Sequence, residues 1–148
     1  MVLTPGGYVA IKSLKRGDTV LTADRRRVKV ERLHKFTVPA RKDTIPCIIP
    51  AGLYGCRRPL LISPDHMVQT GGAGEMARAV TLGLRRMLLR GNITYYNVEL
   101  PDYYRDRLVV NGVKVESMFN PRRHRKTASK PTVPAPVHSP APVTASSL

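Results

Sequence analysis

Ser63 and His66 place a hydroxyl and an imidazole three positions apart, in a pattern that could do chemistry. Pro64 and Asp65 stand between them. Proline fixes φ and aspartate favours turns, so a short turn can hold the two side chains close together. A positioned imidazole can act as a general acid or base. The alternative role is structural: Ser63 caps the turn, and His66 fills a position that the fold requires.

A nucleophile must sit beside such a base before an acyl group can be transferred. The two cysteines, Cys47 and Cys56, have no flanking histidine or aspartate to activate them. They also lack two further ligands at suitable spacing for zinc, so we expect neither a metal nor a cofactor. The sequence cannot decide whether they face each other at bonding distance. Because no signal peptide is present, we expect a reducing compartment and two free thiols.

Short strands are the elements that must position these residues. Apolar residues alternate with period two over 28–38 and 93–100, which predicts strands with one solvated face. The Asn111-Gly112 dipeptide between two β-branched runs is the strongest hairpin signal in the chain. Residues 76–89 have helical spacing interrupted by a glycine, which predicts one short helix and a turn. We therefore predict a single compact all-β domain with a short helix.

Composition changes near residue 120. Residues 120–148 hold six of the 13 prolines and no acid, which predicts an extended basic arm rich in Pro, Ser, Thr and Ala after a folded domain over 1–119. The formal net charge is +15, and five cations without acids give the arm +5 of it. Both parts are basic, so an anionic partner such as nucleic acid or an acidic surface fits the chain. The residues assigned to partner contact are Arg122, Arg123, Arg125, Lys126 and Lys130.

The order and spacing of these segments over roughly residues 2–119 resemble the Hint (Hedgehog/intein) domain family, in its bacterial and viral variety. The turn over 63–66 is similar to the family's Thr-x-x-His motif, while 77–83, 93–100 and 111–117 are similar to its later elements. The resemblance implies an autoprocessing fold. In that fold the histidine polarises a scissile amide while a Cys or Ser at the head of the domain attacks it.

Three positions depart from the family pattern. The chain starts with Met1 and has no Cys or Ser nucleophile at its head. Tyr103 or Tyr104 stands where a late histidine is often found, and Glu116-Ser117 stands in place of a closing His-Asn pair. Losses at three separate steps predict a domain that has kept the fold without the reaction. We then expect no catalytic residues, and Ser63 and His66 are only vestigial candidates for that role.

We therefore expect a non-catalytic structural or interaction protein, a cement or minor capsid protein of a large assembly such as a virion shell. Arms that order on binding can wrap large surfaces, so the arm would contact the other proteins of the assembly. The expected location is the virion, and otherwise the cytoplasm. No apolar stretch is long enough to span a membrane.

Two alternatives stay open. One is an autoprocessing domain that acts with a nucleophile upstream in a longer precursor, although the start at Met1 leads us to expect no such precursor. The other is a basic accessory protein that binds nucleic acid.

Overall fold

A computed structural model of the chain describes residues 1–124. This part is built of short antiparallel strands, which confirms the predicted all-β class. The strands are β1 (Val2–Thr4), β2 (Gly7–Val9), β3 (Thr19–Leu21), β4 (Arg27–Lys29), β5 (Arg32–Pro39), β6 (Cys47–Ile49), β7 (Leu60–Ile62), β8 (Met67–Gln69), β9 (Met76–Arg78), β10 (Arg85–Arg86), β11 (Asn92–Glu99), β12 (Arg107–Val110) and β13 (Val113–Glu116). Two 3-10 turns, Ile11–Ser13 and Ala79–Leu82, and the helix α1 (Pro121–His124) complete the described elements.

The largest sheet carries the main core. Its six strands run in the order β2-β1-β12-β13-β8-β9. Val2 pairs with Val110, and Val115 pairs with Val68, so β-branched side chains from four strands enter one buried cluster. Such side chains fit the pleated surface of a sheet.

The predicted hairpin is confirmed as the connection between β12 and β13. Asn111 and Gly112 have φ values of 49° and 92°. A two-residue type I′ turn needs positive φ at both central positions, and asparagine and glycine tolerate it best. This turn fixes the register of β12 against β13. The other edge of β13 pairs with β8.

A two-stranded ribbon of β5 and β11 runs separately from the main sheet. All eight residues of each strand are paired, from Arg32 with Glu99 to Pro39 with Asn92. One face of the ribbon covers a second, smaller core that contains Ile93 and Tyr95. The strand predicted over 93–100 is therefore confirmed as β11, whereas the single strand predicted over 28–38 is divided into β4, which pairs with β3, and β5, which pairs with β11.

The helix predicted within residues 76–89 is wrong. This segment forms β9, the 3-10 turn Ala79–Leu82 and β10 instead. Gly83 adopts φ of 66° and ends the 3-10 turn, and Arg85 and Arg86 then pair with Ile48 and Cys47 of β6. Pairing with distant strands outweighs the helical spacing here, as tertiary contacts often outweigh local propensity. Within residues 1–124 the one α-helix is α1.

Cys47 and Cys56 are both buried and unbonded, which confirms the two free thiols. Burial raises the pKa of each thiol, so both stay protonated at neutral pH. No helix in the part of the chain that the structure describes is long and apolar enough to cross a membrane.

Candidate functional site

The turn from Ser63 to His66 joins β7 to β8 and lies inside the protein. The His66 amide donates a hydrogen bond of 3.1 Å to the Ser63 carbonyl, which closes the turn through the main chain. His66 is 0% exposed and Ser63 is 2% exposed. At the outer corner of the turn, Asp65 forms an ion pair with Arg78 of β9. The structure therefore brings the two predicted residues together and seals them from solvent.

The polar atoms of this pair are left without normal partners. Neither the Ser63 hydroxyl nor either ring nitrogen of His66 has a hydrogen-bond partner among residues 1–124. The expected cap from the Ser63 side chain is therefore absent, since the main chain closes the turn. Buried polar groups are rarely left unpaired in proteins, and an unpaired one costs about 1–3 kcal/mol.

Two elements flank His66. On one side, the 3-10 turn donates the Ala79 amide to the His66 carbonyl at 2.9 Å. On the other side, β13 places Oε1 of Glu116 at 3.4 Å from Nδ1 of His66. Val115 pairs with Val68, so the same antiparallel register, continued by two residues, puts Ser117 opposite His66. The buried hydroxyl of Ser117 also lacks a hydrogen-bond partner within the described residues.

Burial controls the charge of the imidazole. Removing it from water lowers the pKa of His66 well below its usual value, and the nearby carbonyl of Glu116 opposes this shift only in part. His66 is therefore neutral at physiological pH. A neutral imidazole offers one donor and one acceptor, the form that general acid–base catalysis needs.

Glu116 lies between His66 and Tyr103, the residue that stands where the family often has a late histidine. Its Oε1 accepts the Met67 amide at 2.9 Å, and its Oε2 accepts the Tyr103 hydroxyl at 2.6 Å. Burial, with the carboxylate of Glu116 beside it, raises the pKa of Tyr103, which stays protonated as the donor. The sequence did not reveal this chain from Tyr103 through Glu116 to His66. The hairpin register pairs Glu116 with Arg107, and no local signal predicts that β13 also lies beside β8.

A family model described as Hint domain matches residues 1–122. The chain belongs to the Hint domain family, which confirms the resemblance. Hint domains are autoprocessing folds that cleave or splice proteins. The match ends at residue 122, halfway through α1 and three residues beyond the predicted end of the folded domain. A comparison with curated proteins finds no match.

The head of the chain lies far from the buried histidine. The Met1 ammonium donates to Oδ1 of Asn111 at 2.9 Å, so it sits at the tip of the hairpin. Strand order puts β12 and β13 between β1 and β8, while His66 lies level with the opposite end of β13. Strand spacing and rise per residue give a separation of roughly 20 Å. Met1 itself therefore takes no part in chemistry at His66.

The cations assigned to partner contact divide into three groups. Arg122 is exposed on α1. Arg123 forms ion pairs of 3.2 Å with both Glu99 and Glu31, so its guanidinium is engaged within the protein. The other three, Arg125, Lys126 and Lys130, lie outside the described residues. Arg122 and Arg123 are thus both exposed, but the Arg123 guanidinium is already paired with Glu99 and Glu31.

Glu99 anchors the start of the C-terminal segment. Its carboxylate accepts hydrogen bonds from Asn120 at 2.8 Å and from Arg123 at 3.2 Å, and it contacts Nε2 of His34 at 2.9 Å. Burial alone would raise the pKa of Glu99, but these hydrogen bonds together outweigh burial and lower it. The anchor ties α1 to the ribbon.

Replacing this carboxylate is expected to loosen α1. Glu99→Gln leaves Arg123 without its buried counter-charge, so we expect a loss of about 2 kcal/mol in the free energy of unfolding and faster tryptic cleavage after Arg122 and Arg123. Urea unfolding and timed proteolysis with mass detection measure both. The matched control is Glu31→Gln, which removes one partly exposed ion pair and is expected to cost under about 1 kcal/mol. Equal effects of the two variants would contradict the anchoring role.

Proposed function

We propose that this Hint domain is a non-catalytic interaction module. The observation that carries the proposal is that His66 is fully buried while Met1, which offers no nucleophile, lies roughly 20 Å away at the tip of the hairpin. Cys47 and Cys56 do not replace it, because burial keeps both thiols protonated and the thiolate is the reactive form.

Charge suggests the kind of partner. A net charge of +15 favours association with anionic components and works against self-association. We place the protein in a large assembly, as a cement or minor capsid component of a virion shell, where exposed cations such as Arg122 face anionic or acidic neighbours. Nucleic acid is the other anionic partner that this charge would serve.

Intact-mass measurement tests whether the protein cleaves itself. The purified protein is incubated with a small thiol, and separately with hydroxylamine, and its intact mass is compared before and after. We expect no change, because no thioester or ester forms without a head nucleophile. A specific fragment in either reaction would overturn the non-catalytic proposal.

A second candidate is an autoprocessing domain completed by a preceding segment. The unpaired polar atoms of Ser63, His66 and Ser117 favour it, because a peptide group entering beside them would supply the missing hydrogen bonds. Such a segment must cover roughly 20 Å, which takes about six or more extended residues ahead of Met1.

A designed fusion separates the two candidates. A reporter is joined through a flexible segment that carries a cysteine at several positions, about six to ten residues ahead of Met1. Reporter release that depends on thiol and disappears in His66→Ala would support the autoprocessing domain. Intact fusions at every cysteine position would support the non-catalytic module.

A further inference from the structure

Two loops meet at the outer end of the ribbon, beyond the pair of Pro39 and Asn92. The Ala40 amide donates to the Gly91 carbonyl at 2.7 Å, and the Met87 amide donates to the Pro46 carbonyl at 2.9 Å. These bonds join residues 40–46 to residues 85–91, and we call the two segments together the dileucine tip. The tip lies at the opposite end of the ribbon from the Glu99 anchor.

Two adjacent leucines project from the dileucine tip. Leu88 is 89% exposed and Leu89 is 40% exposed. In the part of the chain that the structure describes, only two other large apolar side chains, Val80 and Tyr104, are exposed. A clustered exposed apolar pair is a feature of interaction sites, whereas single exposed apolar residues need no explanation.

Hydrogen bonds from β10 and β11 fix the conformation of residues 42–45 in the dileucine tip. The Arg86 guanidinium donates to the carbonyls of Lys42 at 2.9 Å and Ile45 at 2.7 Å. The hydroxyl of the buried Tyr95 donates to the Thr44 carbonyl at 2.5 Å. The loop of residues 40–46 is thus fixed, and the segment with the leucines is tied to it at Met87 and Gly91 on either side of them, which lowers the conformational entropy lost on binding.

The same two segments carry four exposed cations. They outnumber the single exposed acid of the two segments, Asp43, four to one. An apolar centre with a basic rim matches the boundary of an anionic bilayer, where headgroups attract cations and the acyl region accepts aliphatic side chains. The four rim cations are Arg41, Lys42, Arg85 and Arg90.

We propose that the dileucine tip binds the surface of an anionic lipid bilayer. Leu88 and Leu89 enter the boundary between headgroups and acyl chains, while the rim cations pair with lipid phosphates and carboxylates. A nucleic acid would use the same cations and leave the leucines in water, because single strands stack on exposed aromatic rings and the two segments contain none. This inference does not depend on whether His66 is active.

Vesicle flotation with the full chain tests the proposal. Vesicles of phosphatidylcholine alone are compared with vesicles that also contain phosphatidylserine. We expect binding only to the anionic vesicles, and Leu88→Ser with Leu89→Ser should weaken it by at least roughly tenfold, because apolar burial is lost. Arg41→Gln with Arg90→Gln should weaken binding several-fold and reduce its salt dependence.

Lys15→Gln with Arg16→Gln is the matched control. It removes the same number of exposed charges near the other end of the ribbon, where the Glu31 amide donates to the Glu99 carbonyl. We expect this variant to bind the vesicles nearly as the wild type does. The proposal is overturned if the wild-type chain binds neither vesicle or if the leucine variant binds as the wild type does. It is also overturned if the control weakens binding as much as the Arg41 and Arg90 pair. Circular dichroism confirms that each variant is folded.

Discussion

Gly112→Ala is expected to lower the free energy of unfolding by about 3 kcal/mol or more. Gly112 has φ of 92°, and a Cβ there would overlap the main-chain carbonyl oxygen of Gly55. A carbonyl cannot rotate away as a flexible side chain can, so the loop that holds Gly55 must move. That loop is tied to the same hairpin by a 2.8 Å bond from the Arg57 amide to the Asn111 carbonyl. Equilibrium unfolding in urea measures the loss.

Gly52→Ala is the control that separates close contact from backbone strain. Gly52 has the same φ of 92°, but a Cβ there meets no atom of the described residues within 4 Å. We expect it to cost about 1–2 kcal/mol, the ordinary penalty for an L residue in the left-handed region. If the two variants lose the same stability, the approach of the hairpin to the Gly55 loop contributes nothing.

Features that depend on neighbours in sequence could be predicted. Asn111 and Gly112 specify their turn by the φ values that they tolerate, and alternation over 28–38 and 93–100 follows from one buried face. The turn from Ser63 to His66 was likewise evident, because proline and aspartate restrict the intervening backbone. The resemblance to the Hint family depended on the order of these same local signals.

Features that depend on pairing between distant segments could not be predicted. Residues 76–89 have helical spacing, yet two of them pair with Ile48 and Cys47, almost forty positions earlier. The contact of Glu116 with His66 spans fifty positions and arises only because β13 lies beside β8. Local sequence contains no information about such neighbours, so both the sealing of the site and the charge of its histidine required the structure.

Acid is expected to destabilise the protein through His66. The unfolded chain takes up a proton on this imidazole near pH 6.5, whereas burial keeps the pKa of His66 well below that value in the folded protein. Below pH 6.5 the unfolded state therefore binds more protons, and the free energy of unfolding falls as pH falls. Just below pH 6.5 this contribution steepens with acid toward about 1.4 kcal/mol per pH unit, the slope for one proton. Urea unfolding at a series of pH values measures this slope.

His66→Phe should flatten the slope just below pH 6.5, because phenylalanine fills a similar volume and does not titrate. His34→Gln is the control, since it removes a histidine from the ribbon and leaves the buried turn unchanged. In the wild-type protein, the His66 ring resonances should stay those of a neutral imidazole throughout this range. Parallel stability curves for wild type and His66→Phe, or ring resonances that titrate near pH 6.5, would mean that solvent reaches the imidazole. A histidine that solvent reaches would no longer support the sealed site on which the non-catalytic proposal depends.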